Sequence, residues 1–383
     1  MRPERWAGIA PLVAVLLLAG RGASAAAGPS DADWPTFKGD NARTGRGEAL
    51  RLPITLDWTA HLDGALYSSP AVLDGLVVLG SSAMKVYGLN LADGSRRWET
   101  ALPDRVWGSA PALAMNRAYI GCVDGCVYAL ALGTGALLDT YCGGSPGPHG
   151  GADILSPILV QNSRLIFGSD DDSIYGVDLG HGAPWACPTG GILHDNGAAE
   201  AAGLLVMASH DGKVYGLGAS TGHVRWTYRA GGEFNTVPAL DAKRAYVGCM
   251  DGHMLALSLG HGGLVWSYPT GKGVVSSPAL GPDGSLVFGS ADGSVYCLSA
   301  SSGALRWAFK TGGYVLGSPL VTGKLVWIGS YDGELYVLDL QTGAKLWSME
   351  IPGGVYAAPA VSDGRVLVAG RQGSLVCLKA SAP

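Results

Sequence analysis

The sequence predicts an all-β protein, an eight-bladed β-propeller of four-stranded blades, and three observations predict it. A unit of about 41 residues recurs along most of the chain, which is the spacing of a propeller blade. The units share one punctuation, complete at 318–347 and with departures elsewhere: Ser-Pro, an apolar run, Gly-Ser, Asp-Gly, Tyr-x-Leu, Gly and finally Trp. The last unit lacks its closing strand while a spare one stands ahead of the first, so the N-terminal strand is expected to join the last blade and close the ring.

Taken in chain order, residues 1–26 hold Arg2 and Arg5, an apolar run from Ile9 to Ala19 and then Ala23-Ser24-Ala25, the layout of a secretory signal peptide. The apolar run is short of the ~20 residues that a membrane-spanning helix needs. No cysteine follows the run, so no bacterial lipid anchor is expected at that point. Residues 27–54 read as a lead-in segment and 55–383 as the propeller. The mature chain is expected to be exported, periplasmic or secreted, without a transmembrane segment, and monomeric.

The spare closing strand is Leu56-Asp57-Trp58. The units open at Pro70, Pro111, Pro157, Pro238, Pro278, Pro319 and Pro359, with Ala198 in the same place between the third and fourth of these. They close at Trp98, Trp185, Trp226, Trp266, Trp307 and Trp347, whereas the second has Asp139 in register and Tyr141 two residues on. Within a unit, Asp-Gly is a strong hairpin signal. It stands at Asp124-Gly125, Asp211-Gly212, Asp251-Gly252, Asp292-Gly293 and Asp332-Gly333. Blade 1 has Ala83-Met84 there and blade 3 has Asp171-Asp172, so those two turns are expected to differ. The recurrent Tyr and Trp are read as wedge packing between blades, where large flat side chains bury much area.

Composition narrows the function. A net charge of −5 and the lack of any basic run exclude nucleic acid as an expected partner. Seven cysteines leave at least one thiol over in an oxidising compartment. Cys122 and Cys126 flank one turn, Cys142 and Cys187 end closing strands of neighbouring blades, and neither pairing follows from the sequence. Cys249, Cys297 and Cys377 read as small core fillers. The run Asp170-Asp171-Asp172 lacks the glycine and distal glutamate of a calcium loop.

The pattern Gly-Ser-x-Asp-Gly-x-Val-Tyr-x-Leu, followed by Gly and Trp, resembles the tryptophan-docking repeat of the quinoprotein, or PQQ-binding-like, propellers, over about 320 of the 383 residues. The opening Asp33-Trp34-Pro35-Thr36-Phe37-Lys38-Gly39-Asp40-Asn41-Ala42-Arg43-Thr44-Gly45 is similar to the lead-in of many exported members. The resemblance implies one of two branches: dehydrogenases that bind PQQ and calcium, or cofactor-free propellers similar to the lipoprotein of the outer-membrane barrel-assembly machine, which bind protein segments. The dehydrogenases are longer, and many carry a disulfide between adjacent cysteines. This chain has no Cys-Cys pair and its blades are close to minimal, so it stands nearer the second branch.

Ligands of propellers usually approach the mouth of the central channel, fed here by the segments ahead of each Ser-Pro. Counting back from the proline places Leu66, Trp107, Asp153, His194, Phe234, Val274, Val315 and Val355 in one ring and Tyr67, Gly108, Ile154, Asp195, Asn235, Val275, Leu316 and Tyr356 in the next. Blades 6 to 8 are apolar in these rings and blades 3 to 5 polar. The ligand-binding candidates are therefore His149, Asp153, His194, Asp195, Glu233 and Asn235, with Trp107, Tyr67 and Tyr356. No catalytic set and no metal site is identified. The expected function is a non-catalytic scaffold for a protein or peptide partner, without cofactor. The alternatives are a PQQ- and calcium-dependent dehydrogenase and a carbohydrate-binding or carbohydrate-cleaving propeller.

Overall fold

The computed structural model describes residues 33–143, 152–180 and 182–381, so the signal-peptide reading and His149 lie outside the described residues. Among the described residues the strands form eight four-stranded antiparallel blades. Seven are continuous in sequence, at 71–101, 112–142, 159–188, 199–229, 239–269, 279–310 and 320–350. The eighth takes three strands from residues 360–381 and its outer strand from Arg46–His61.

The closure is antiparallel and joins the two ends as expected, with Trp58 opposite Cys377. The beginning of the same strand runs parallel to Leu320–Gly323, the first strand of blade 7, so blades 7 and 8 share one eight-stranded sheet. First strands of neighbouring blades touch one another, which places them around the central axis.

Each piece of the repeat has a physical task. The serine of Gly-Ser-x-Asp-Gly accepts the amide of the aspartate two residues on, as at Ser209, Ser290 and Ser330. That aspartate accepts the hydroxyl of the tyrosine four residues further: Asp124–Tyr128 at 2.5 Å, Asp211–Tyr215 at 2.6 Å, Asp292–Tyr296 at 2.7 Å and Asp332–Tyr336 at 2.8 Å. The tyrosine is thus a hydrogen-bonding post as well as a wedge. The glycine takes a positive φ, +96° at Gly333. Blades 1 and 3 were expected to turn differently, yet Met84 and Asp172 take the same left-handed conformation, with φ of 60° and 65°. The hairpin around them imposes it, and asparagine-like Asp172 tolerates it best.

The tryptophans dock forward. Trp58, Trp98, Trp226, Trp266 and Trp307 each donate their indole N–H to a carbonyl of the next blade, at 2.7 to 3.0 Å. Each ring lies on the turn glycine of that blade. A Cβ on Gly343 would come within 2.6 Å of Trp307, so a side chain there would lift the ring.

The core sits between blade faces. Cys297 and Trp307 of blade 6, for example, pack with Val326, Ile328 and Leu338 of blade 7. Cys249, Cys297 and Cys377 are wholly buried in such layers. The single disulfide among the described residues is Cys126–Cys142, across the third and fourth strands of blade 2. Neither Cys122 with Cys126 nor Cys142 with Cys187 is therefore the pair, because Cys126 and Cys142 are direct cross-strand neighbours. Cys122 and Cys187 remain buried thiols.

Candidate functional site

The chain closes one end of its own channel. Residues 34–45 wind across the ring and give a backbone partner to nearly every first strand: Trp34 to Val72, Pro35 to Leu113, Asn41 to Glu200, Ala42 to Leu240, Thr44 to Leu280 and Gly45 to Val321, all at 2.7 to 2.9 Å. Blade 3 is reached by Arg43, whose guanidinium donates to the carbonyls of Ile158, Ala198 and Phe37. The ammonium of Lys38 donates to the carbonyls of Ser277, Pro278 and Pro319. Both cations are essentially inaccessible to water. Burial lowers both pKa values against the pull of Asp40, that of Lys38 well below its usual range and that of Arg43 to about 9. Converging strand ends leave carbonyls without partners, and the two cations supply the donors.

The opposite end is open. A space lies above Phe37 of the plug and is lined by Tyr67, Gly108, Asp195, Asn235, Val275, Leu316 and Tyr356. Seven of the eight residues of the second predicted ring are thus on its wall. Ile154 is the exception, because in blade 3 the proline stands one place early: Leu159 pairs in its hairpin as Ala239 does in blade 5, which puts Pro157 level with Val237.

The first predicted ring needs more correction. Leu66, Phe234, Val274, Val315 and Val355 are completely buried between blades, so they give the mouth no apolar half-rim. In blades 2 and 4 the same buried place is held by Val106 and Leu193, against Gly80 and Gly168. Trp107 and His194 therefore move out to the mouth, and the extra residues Gly108 and Asp195 bend with positive φ of 73° and 53°.

The mouth has two unlike halves. On blades 3 to 5, Nδ1 of His194 lies 3.1 Å from Asp170, and Nδ1 of His210 lies 3.9 Å from Glu233. The hydrogen bond that His194 donates to Asp170 raises the His194 pKa against desolvation, and burial raises that of Asp153, next to Asp170. On blades 7, 8, 1 and 2, planar groups form a continuous stack. Tyr331 faces Arg371 at 4.8 Å, Arg371 faces Tyr67 at 5.7 Å, Tyr67 stacks on Trp107 at 4.0 Å, and Arg105 covers Trp107 at 5.8 Å. The two halves are joined across the channel by the Tyr356 hydroxyl, which donates to Asp195 at 2.7 Å. Burial raises the pKa of both partners.

Of the sequence candidates, Tyr67, Asp195, Asn235 and Tyr356 line the channel, while Trp107, Asp153, His194 and Glu233 stand around it. Reasoning from the sequence weighed Asp170 only against a calcium loop and did not place it, His210, Tyr331 or Arg371 at the mouth. All four hold one place: the variable x of the Gly-Ser-x-Asp-Gly turn. In every blade the amide of that residue donates to a carbonyl of the feeding segment, from Ser82 to Ala65 through Arg371 to Gly354. A residue that varies inside a fixed motif was the available signal.

A model of the family described as outer membrane protein assembly factor BamB matches residues 55–186, 170–280, 259–352 and 332–382. The chain belongs to this family. Among individual BamB proteins, the outer membrane protein assembly factor BamB of Moranella endobia (strain PCIT) is 24% identical over 246 residues, 61% of this chain. The chain spans 62% of the length of that relative. The crystal structure of BamB from Moraxella catarrhalis is similar with a TM-score of 0.72 at 20% identity, over 86% of this chain and 98% of that one. A europium-containing methanol dehydrogenase is similar with a TM-score of 0.79 at 14% identity, over 91% and 98%. At these identities the structural likeness establishes the fold alone.

Proposed function

We propose that this chain is an exported, non-catalytic scaffold that holds a protein segment at the open mouth of its channel, in the assembly of outer-membrane proteins. The observation that carries this reading is the BamB family match along the whole ring, from residue 55 to 382. The mouth supports it: a shallow, blind depression rimmed by aromatic, arginine and acidic side chains suits a peptide surface that mixes apolar and polar contacts. A cross-strand disulfide accords with folding outside the cytoplasm. Exposed Tyr314 and Tyr331 on the rim offer large side chains for burial against a partner.

A photo-crosslinking amino acid in place of Tyr314 on the mouth, compared with one in place of exposed Leu305 on an outer strand, tests the reading in intact cells. Adducts with a component of the outer-membrane assembly machinery from position 314, and none from 305, are expected. No adduct at the mouth, or equal adducts from both positions, overturns it. Dye reduction with alcohols by protein incubated with PQQ and calcium would overturn its non-catalytic part.

A further inference from the structure

We infer that the channel mouth is a socket for a single cationic side chain, lysine or arginine, presented by the partner polypeptide. This rests on the scaffold reading above and adds the chemistry that the partner must bring.

Four carboxylates, Asp153, Asp170, Asp195 and Glu233, stand on blades 3 to 5. Among the described residues their ionic neighbours are imidazoles only, His194 for Asp170 and His210 for Glu233. The arginines of the mouth lie on the other half, where Arg371 and Arg105 are held over aromatic rings. The innermost carboxylate, Asp195, lines the channel and has one oxygen held by Tyr356. On the same wall, Asn235 has a buried Oδ1 without a donor. Outside that wall, Asp170 has a second such oxygen. The channel wall above Phe37 thus offers the Asp195 carboxylate and the Asn235 Oδ1, with Asp153, Asp170 and Glu233 around it on the same half of the mouth.

Aromatic surface completes the fit. Tyr67 and Tyr356 meet edge to face at 5.8 Å on the channel wall, beside the stacked Trp107. Because Trp107 and Arg371 already cover Tyr67, a guanidinium or ammonium entering there meets the Tyr356 ring and the Asp195 carboxylate, where desolvation strengthens both contacts. An acidic or purely aliphatic side chain leaves the Asn235 Oδ1 without a donor and gives Asp195 none beyond Tyr356.

The test uses the mature protein and three short probes: acetyl-Gly-Arg-Gly-amide, its citrulline counterpart of the same shape without charge, and its glutamate counterpart. Binding is read by calorimetry and by Trp107 fluorescence, with Trp107→Phe assigning the signal. The arginine probe is expected to bind about tenfold or more tightly than citrulline, with glutamate silent, and to weaken as salt is raised. Asp195→Asn keeps the acceptor for Tyr356 and is expected to lose about tenfold; exposed Glu233→Gln is expected to lose a smaller factor and guards against misfolding of the first variant. Equal binding of arginine and citrulline, or unchanged arginine binding in both variants, overturns the inference.

Failure of the two readings is separable. If a partner crosslinks at position 314 and Asp195→Asn leaves that yield intact, the socket falls and the scaffold stands. If the arginine probe binds as stated and no partner crosslinks, the scaffold falls and the cation-binding chemistry of the mouth alone stands.

Discussion

At the scale of single residues, the repeat is a set of short hydrogen bonds whose loss is measurable. Burial works against the ionised form of Asp292, but the hydroxyl of Tyr296 and the amides of Gly271 and Ser294 outweigh it and hold its pKa below the usual carboxylate value of 3.8. A depressed carboxylate stabilises the fold above its unfolded pKa, and that stability is lost as pH falls through the native value. Tyr296→Phe is therefore expected to cost about 1 kcal/mol at neutral pH and to start acid unfolding at a higher pH, read by chemical denaturation across an acid series. His194 works with the opposite sign. Its pKa is raised by Asp170, with Asp195 and Asp153 adding to the effect and burial opposing it. The contribution is full below the ordinary imidazole value of 6.5 and disappears as pH rises through the native value. The stability difference between the wild type and His194→Gln should be largest near pH 5.5 and shrink by pH 8; a difference independent of pH would refute the pairing.

Among the elements, the lead-in is the least expected, because residues 34–45 act as a lid on the ring and not as a linker to it. Lys38→Met keeps the length of the side chain and removes the donors from three carbonyls. Leaving such groups buried without partners costs roughly 1–3 kcal/mol each, so a loss of about 3 kcal/mol is expected in denaturant melts, with the blades retained by circular dichroism. An unchanged midpoint would mean that water reaches those carbonyls. The lead-in also shows what was legible in the sequence. Blade count, strand order, Trp58 as a docked outer strand and the buried cysteines were readable because each blade repeats one hydrogen-bonding pattern, and repetition survives substitution. The mouth was readable only in part. Counting from proline fails wherever local geometry departs from the repeat, as at Pro157, Gly108 and Asp195, and the plug has no repeat at all: apart from Phe37 beside Arg43, the carbonyls that explain Lys38 and Arg43 lie more than 100 residues away.

For the molecule as a whole, closure decides whether the ring is one body or an open chain of blades. The outer strand of blade 8 meets Ser374–Ser381 through eight register pairs, and its Trp58 reaches forward to Leu91 of blade 1. At about 0.5–1 kcal/mol per pair, removing it takes away roughly 4–8 kcal/mol before the loss of tryptophan packing is counted. It also bares the edge of Ser374–Ser381, and an unpaired edge of apolar residues such as Leu375, Val376 and Leu378 is a template for pairing with another chain. A chain that begins at Asp63, which lacks the plug of residues 34–45 as well as this strand, is thus expected to melt well below the intact protein and to associate, which light scattering will register as a mass above that of one copy. A synthetic peptide of residues 46–61 should bind the bared edge, return the mass to a single copy and recover part of the stability. Should the shortened chain stay monomeric with its melting temperature unchanged, the N-terminal strand is decoration on the ring and not its clasp.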